Sequence, residues 1–208
     1  MKMADLFLNK FFSYFPKMKK KALSDLTKEE IGQLFPIEIS PYDSDWTKLY
    51  EEEKQLIEKE VNPSLFSRIE HFGSTSVPGL SAKNTIDILL AVEFEDNSSH
   101  RIIEQMQKIG YDFNWQNEGA YTHMVFIKGY DPENLKQQTY HIHAAPESHS
   151  LWNRIHFRDY LIKHPEVAKR YEELKKSLAN KYKHERVAYR IAKTDFVKEI
   201  TDKSLLDL

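Results

Sequence analysis

Gly73-Ser74-Thr75-Ser76, Asp87 and the pair His141/His143 are the residues of this chain whose chemistry can be named most directly. The run RIEHFGSTSVPGLSAKNTIDILLAV, residues 68–92, reads as a strand, a Gly-Ser turn, a short helical turn broken by Pro78-Gly79, and a second strand carrying Asp87 near its start. Glycine lets backbone approach an oxyanion, and a helical turn after it aims N–H groups and hydroxyls at the same point. Ser74, Thr75 and Ser76 would supply the hydroxyls. Asp87 could then hold a divalent cation that the phosphate also contacts, since hard cations take carboxylate and phosphate oxygens. A connecting turn and a lone strand aspartate give the same pattern, and these residues alone leave both readings open.

His141 and His143 flank Ile142. In a strand the two imidazoles share one side, where two neutral nitrogens can chelate zinc, manganese or nickel. With Asp87 from a neighbouring strand they would form a two-histidine, one-carboxylate set with open positions. Otherwise one imidazole is buried and hydrogen-bonded while the other is solvated or touches a ligand phosphate. Gly73, Ser74, Thr75, Lys83 and Arg158 are the candidates for phosphate contact. Lys83 lies in the loop before Asp87, where its ammonium either pairs with a phosphate or is solvated. Arg158, in Phe157-Arg158-Asp159-Tyr160, either binds an anion or pairs internally with Asp159 or Glu70; a charge beside aromatics more often organises packing. Glu70 and His71 point to opposite faces of their strand, so one of them is expected to face the site.

The run EHFGSTSVPGLSAKNTID resembles the signature of the GrpB-like family, whose fold belongs to the nucleotidyltransferase superfamily. Phe35-Pro36-Ile37 with Pro41-Tyr42-Asp43 and Trp46, then His141-Ile142-His143, then Phe157–Leu161 with His164-Pro165-Glu166, agree with it over roughly residues 27 to 200. The resemblance implies a mixed β-sheet flanked by helices (α/β, or α+β) and a metal-dependent transferase acting on a nucleotide or other phosphorylated small molecule. Magnesium, manganese or zinc is the implied cofactor, held by Asp87, His141 and His143, with Asp87 and His143 as the catalytic pair. In the wider superfamily the strand after the Gly-Ser turn bears Asp, any residue, then Asp or Glu. Two such carboxylates share one face and can bind two ions. Here the positions read Asp87-Ile88-Leu89, so the second carboxylate is absent. A catalytically degenerate module that binds a nucleotide or metal, or serves as an interaction domain, is the alternative. The family's occasional fusion to a dephospho-coenzyme A kinase domain hints at coenzyme A, but no Gly-x-x-x-x-Gly-Lys phosphate loop is present.

At 208 residues the chain can bury a proper core as one domain with appended helices. There is no cysteine, which excludes disulfides and thiolate metal sites and is compatible with a cytoplasmic setting. A net charge of −2 gives no signal of general nucleic-acid binding. Residues 1–26 differ, with six lysines against two acids and Phe7, Phe11, Phe12 and Phe15 interspersed. They read as a basic extension, either poorly ordered or touching a membrane or a partner. Their apolar stretch is short and lacks a cleavage signal, and no transmembrane run occurs. Oligomeric state is not written in the sequence.

The domain proper is expected over residues 27–208, its sheet core over about 37–146 and its C-terminal helices over about 149–205. Thr27-Lys28-Glu29-Glu30 has capping-box spacing for a helix ending near Leu34. A second helix, with Trp46, Leu49, Tyr50, Ile57 and Val61 on one face, runs to Asn62-Pro63. Strands are expected near 67–73, 85–93, 111–116, 121–128 and 137–145, with a helix over 97–109. Beyond them Val167, Tyr171, Leu174, Leu178 and Tyr182, then Ala188, Ala192, Phe196 and Ile200, form helical stripes. Tyr189, Arg190 and Lys193 either line one wall of a cleft or form a solvated face.

Overall fold

The computed structural model describes residues 26–118, 121–135 and 137–207. All but the last residue of the basic segment 1–26 lies outside them. Helix α1 (Lys28–Leu34) starts at a complete capping box: the Thr27 hydroxyl accepts from Glu30 N–H at 3.1 Å, and the Glu30 carboxylate accepts from Thr27 N–H at 2.8 Å. Helix α2 (Asp45–Glu60) buries Trp46, Tyr50, Glu53 and Ile57 at helical spacing and stops before Asn62-Pro63. Between them the chain runs extended, and Ser40 makes an isolated antiparallel bridge to Ala82.

Strands β1 (Arg68–Phe72), β2 (Thr85–Ala91), β3 (Asp112–Glu118), β4 (Tyr121–Lys128) and β5 (Thr139–Ala145) form one sheet in the order β1-β2-β5-β4-β3. Only β2 and β5 pair in parallel; the other neighbours are antiparallel. A parallel pair needs a long crossover, here supplied by α3 (Asp96–Lys108) and the β3–β4 hairpin. Four helices follow: α4 (Asn153–Lys163), α5 (Pro165–Lys181), α6 (Arg186–Ala192) and α7 (Thr194–Leu206). The mixed sheet flanked by helices, with a helical C-terminal part, is the architecture expected.

The sheet's alternation decides where the core lies. Ile86, Ile88, Leu90, Phe126, Ile142 and Ala144 point to the side covered by α2 and α3, and pack with Trp46, Ile57, Ile102 and Met106. On the other side α4 covers the β1 end, where Trp152 and Ile155 close over Phe72, Leu89 and Ala91. Phe157, Leu161, Val167, Tyr171 and Ile200 tie α4, α5 and α7 together over the Val77–Leu80 segment.

The second C-terminal stripe is not continuous. The backbone breaks at Lys193, so Ala192 ends exposed on α6 while Tyr189 and Ile200 turn inward from separate helices. Among the described residues, no helix is long and apolar enough to cross a membrane.

Candidate functional site

Gly73 ends β1 with φ 75°, in the left-handed region that favours glycine. A Cβ added there would lie 2.5 Å from Asp87 Oδ2, so the glycine also makes room for the carboxylate. The Ser74–Ser76 turn follows, held by the Ser76 hydroxyl donating to Gly73 O at 2.6 Å. The loop returning to β2 is clamped from α5: Glu172 accepts from the Ser81 hydroxyl at 3.0 Å, and the buried Lys175 ammonium donates to Ser81 O. That clamp holds Lys83 against a cavity of about 480 Å³ between the sheet and the C-terminal helices.

The parallel register sets Asp87 beside His141, and Leu89 beside His143. Asp87, His141 and His143 each offer a ligand atom, all within 4.8 Å of one another. Asp87 Oδ1 lies 3.8 Å from His141 Nδ1. The other His141 nitrogen, Nε2, is 2.7 Å from the Tyr130 hydroxyl, which accepts from Arg186 at 2.7 Å. His143 Nδ1 is 3.0 Å from His123 Nε2. Burial holds the His141 imidazolium well below its ordinary range and pushes that of His143 down to about 3, with cations nearby adding to both shifts. Both rings are therefore neutral at physiological pH, the state a metal needs. Two neutral nitrogens and one carboxylate suit a divalent ion of borderline softness. Burial also raises the Asp87 carboxyl, while Lys83, Lys193 and Arg154 pull it down.

The cavity is strongly cationic. Lys83, Arg154, Lys175, Arg186, Arg190 and Lys193 line it, and Asp87 is the one carboxylate among its lining residues. Burial, reinforced by Arg186 and Lys193, pushes Lys83 down to about 7, and burial with Lys193 does the same to Lys175. At the β3–β4 end the lining changes to Asn114, Gln116, Val125 and Ile127 on the sheet, with Ile31 and Val187 also contributing.

Not every residue singled out from sequence faces this space. Gly73, Ser74, Lys83, Asp87, His141 and His143 do. Thr75 borders it, but its hydroxyl is turned inward: it is 2 % exposed, donates to Thr85 O at 3.1 Å and meets His71 Nε2 at 3.0 Å. These bonds hold the turn and commit the hydroxyl inside the protein. Arg158 is likewise committed internally, donating to Asp159 at 2.7 Å, Glu70 at 3.1 Å and His71 O at 2.7 Å. Glu70 and His71 both fail to line the cavity; Glu70 pairs with Arg68 and Arg158, and His71 stacks on Tyr50.

Tyr189, Arg190 and Lys193 prove to be cleft-wall residues. Tyr130, His123, Arg154, Lys175 and Arg186 were missed. The i, i+4, i+7 spacing of Arg186, Arg190 and Lys193 was the available signal, since it puts three cations on one helical face. His123 could be found only from the β4–β5 register, which aligns Val125 with His143.

The family described as "GrpB protein" matches residues 36–203. Glutamate-rich protein GrpB of Alkalihalophilus pseudofirmus is 36% identical over 163 residues, covering 78% of this chain and 92% of that one. A UPF0157 protein of Pseudomonas aeruginosa is 35% identical over 170 residues, covering 81% and 68%. The crystal structure of conserved protein GrpB from Enterococcus faecalis superposes with a TM-score of 0.70 at 28% identity, over 82% of this chain and 98% of that one. Cid1 poly(U) polymerase reaches a TM-score of 0.43 at 15% identity, a likeness too loose to bear on the site.

Proposed function

The chain belongs to the GrpB family, and on that premise we propose that it binds a nucleotide or another phosphorylated small molecule in this cavity and transfers a nucleotidyl or phosphoryl group with a divalent metal. The observation that carries the reading is a lining of six basic side chains, Lys83 and Lys175 among them lowered to about 7, against one carboxylate beside the Gly73-Ser74 turn. Like charges crowded into a half-buried space cost folding energy, and a polyanionic ligand would offset that cost. The Asn114, Gln116, Val125 and Ile127 end supports a ligand with an apolar, hydrogen-bonding part as well as phosphates, which suits a nucleoside.

In this reading Gly73 and Ser74 cradle a phosphate, and Lys83, Arg154, Arg190 and Lys193 neutralise its oxygens. Asp87, His141 and His143 would hold the ion, which when bound neutralises charge on the phosphate oxygens. Transfer joins an acceptor oxygen to phosphorus as the bond to the leaving group breaks, pyrophosphate for a nucleotidyl group or a nucleoside diphosphate for a phosphoryl group, the acceptor's proton passing to solvent. A cysteine-free chain acting on phosphorylated compounds fits a cytoplasmic setting.

A second reading, binding without transfer, has its own support. Leu89 occupies the position of the missing carboxylate, is fully buried, and belongs to the apolar cluster with Phe72, Ala91, Trp152 and Ile155. Thermal melts and phosphorus NMR on the full chain, with a nucleoside triphosphate panel and magnesium, manganese or zinc, separate the two. Transfer predicts a raised Tm and a new phosphorus species that Asp87→Asn abolishes while folding normally. Binding alone predicts the raised Tm without product. Absence of any shift across the panel contradicts both.

A further inference from the structure

Resting on the reading of Asp87, His141 and His143 as metal ligands, we propose that Tyr130 and His123 are positioning residues that make the site a transition-metal site. It takes zinc or cobalt in preference to magnesium. The two imidazoles must present different nitrogens to one ion, and their outer partners are placed to accept from the nitrogens that face away from it. His141 Nε2 is held at 2.7 Å by the Tyr130 hydroxyl. The Tyr130 oxygen already accepts from Arg186, which fixes where that hydroxyl stands. With Nε2–H donating to Tyr130, the lone pair of neutral His141 lies on Nδ1, the atom 3.8 Å from Asp87 Oδ1.

His143 is held the opposite way round. Its Nδ1 is 3.0 Å from His123 Nε2, so donation to His123 leaves the lone pair on Nε2. His123 itself stays out of the donor set, since β4 lies two strands from β2, roughly 10 Å away. A hydrogen-bonded outer partner on each ligating histidine is how metal sites fix tautomer and ring orientation.

Two nitrogens and one carboxylate oxygen select the metal class. Magnesium demands near-octahedral oxygen ligands, whereas zinc and cobalt favour imidazole. Donors about 2.1 Å from a tetrahedral ion stand about 3.4 Å apart. The three ligand atoms here lie within 4.8 Å of one another, at most about 1.4 Å wider than that spacing.

The test is cobalt(II) titration of the chelator-stripped full chain, read by visible d–d absorption and by competition with a chelator. Circular dichroism and thermal melts check that each protein is folded. Wild type should give a cobalt spectrum that zinc abolishes and a large excess of magnesium does not. Tyr130→Phe and His123→Ala should each bind cobalt about 10–100-fold more weakly with an altered band shape, and His123→Gln, which keeps an acceptor, should recover most of the loss. Wild-type affinity and an unchanged spectrum in both folded Tyr130→Phe and His123→Ala would overturn the positioning role. Displacement of cobalt by equimolar magnesium would overturn the metal class. No cobalt spectrum in wild type would overturn the metal reading itself, and this inference with it.

Discussion

Along β2, Ile86, Ile88 and Leu90 alternate with Asp87, Leu89 and Ala91, and along β5 Ile142 and Ala144 alternate with His141 and His143. The same backbone ladder thus serves two faces of opposite character. Under α2 and α3 the side chains are almost wholly apolar, and the buried charge there is balanced: Glu53 pairs with Lys128 and accepts from the Tyr111 hydroxyl at 2.8 Å. Under the C-terminal helices six basic side chains meet one carboxylate around a cavity. Folding alone favours the first arrangement, because a buried charge is tolerable only when paired and hydrogen-bonded. On the open face Lys175 and Arg186 are likewise hydrogen-bonded, to Ser81 O and to Phe35 O and Tyr130, but basic groups outnumber acidic ones around the cavity. On the proposed function, stability resides on one face and recognition on the other, and substitutions should separate the two.

The largest effect belongs to the closed face. Phe126→Ala empties a fully buried position and should cost about 3–5 kcal/mol in denaturant unfolding. A loss under 1 kcal/mol would mean that this face is not the main core. At the seam between the faces, Gly73→Ala adds about 1–2 kcal/mol of backbone strain and crowding of about 1–3 kcal/mol against Asp87. It should lower the Tm and weaken metal binding together; a drop in one without the other would show that Gly73 and Asp87 act independently.

A smaller effect comes from His71 on the closed side, 8 % exposed, stacked on Tyr50 and bonded to Thr75. Burial, with Arg158 adding to it, pushes its pKa from 6.5 down to about 4. The folded state then binds fewer protons than the unfolded one across that window. Stability from neutral His71 is fully present above about pH 6.5, declines as the pH falls towards 4, and is gone below it. Stability curves of wild type and His71→Gln should converge over that interval, and parallel curves would refute the assignment. The smallest effect is expected from Lys193→Ala on the open face: folding within about 0.5 kcal/mol of wild type, or slightly stabilised, with a reduced ligand-induced Tm shift.

Much of this division could be read from the sequence, because strand alternation is a local property. The His-Ile-His step, the Gly-Ser turn and the loss of a carboxylate at Leu89 all follow from spacing within one element. Whether Thr75 and Arg158 face the site or pair internally stayed open, because a hydroxyl's direction and an arginine's partner depend on neighbours in other elements. Thr75 turns to Thr85 O, and Arg158 reaches across to β1. The cationic lining was half legible: Lys83, Arg190 and Lys193 were singled out, whereas Arg154, Lys175 and Arg186 come from three helices that meet only in the fold.

The claim that the open face is built for phosphates is tested most directly by the Tm of the full chain titrated with inorganic triphosphate, for wild type and for Arg154→Ala/Lys193→Ala. The account predicts a rising Tm for wild type, screened by salt, and a much smaller rise for the double variant. No rise, or the same rise in both proteins, would contradict it.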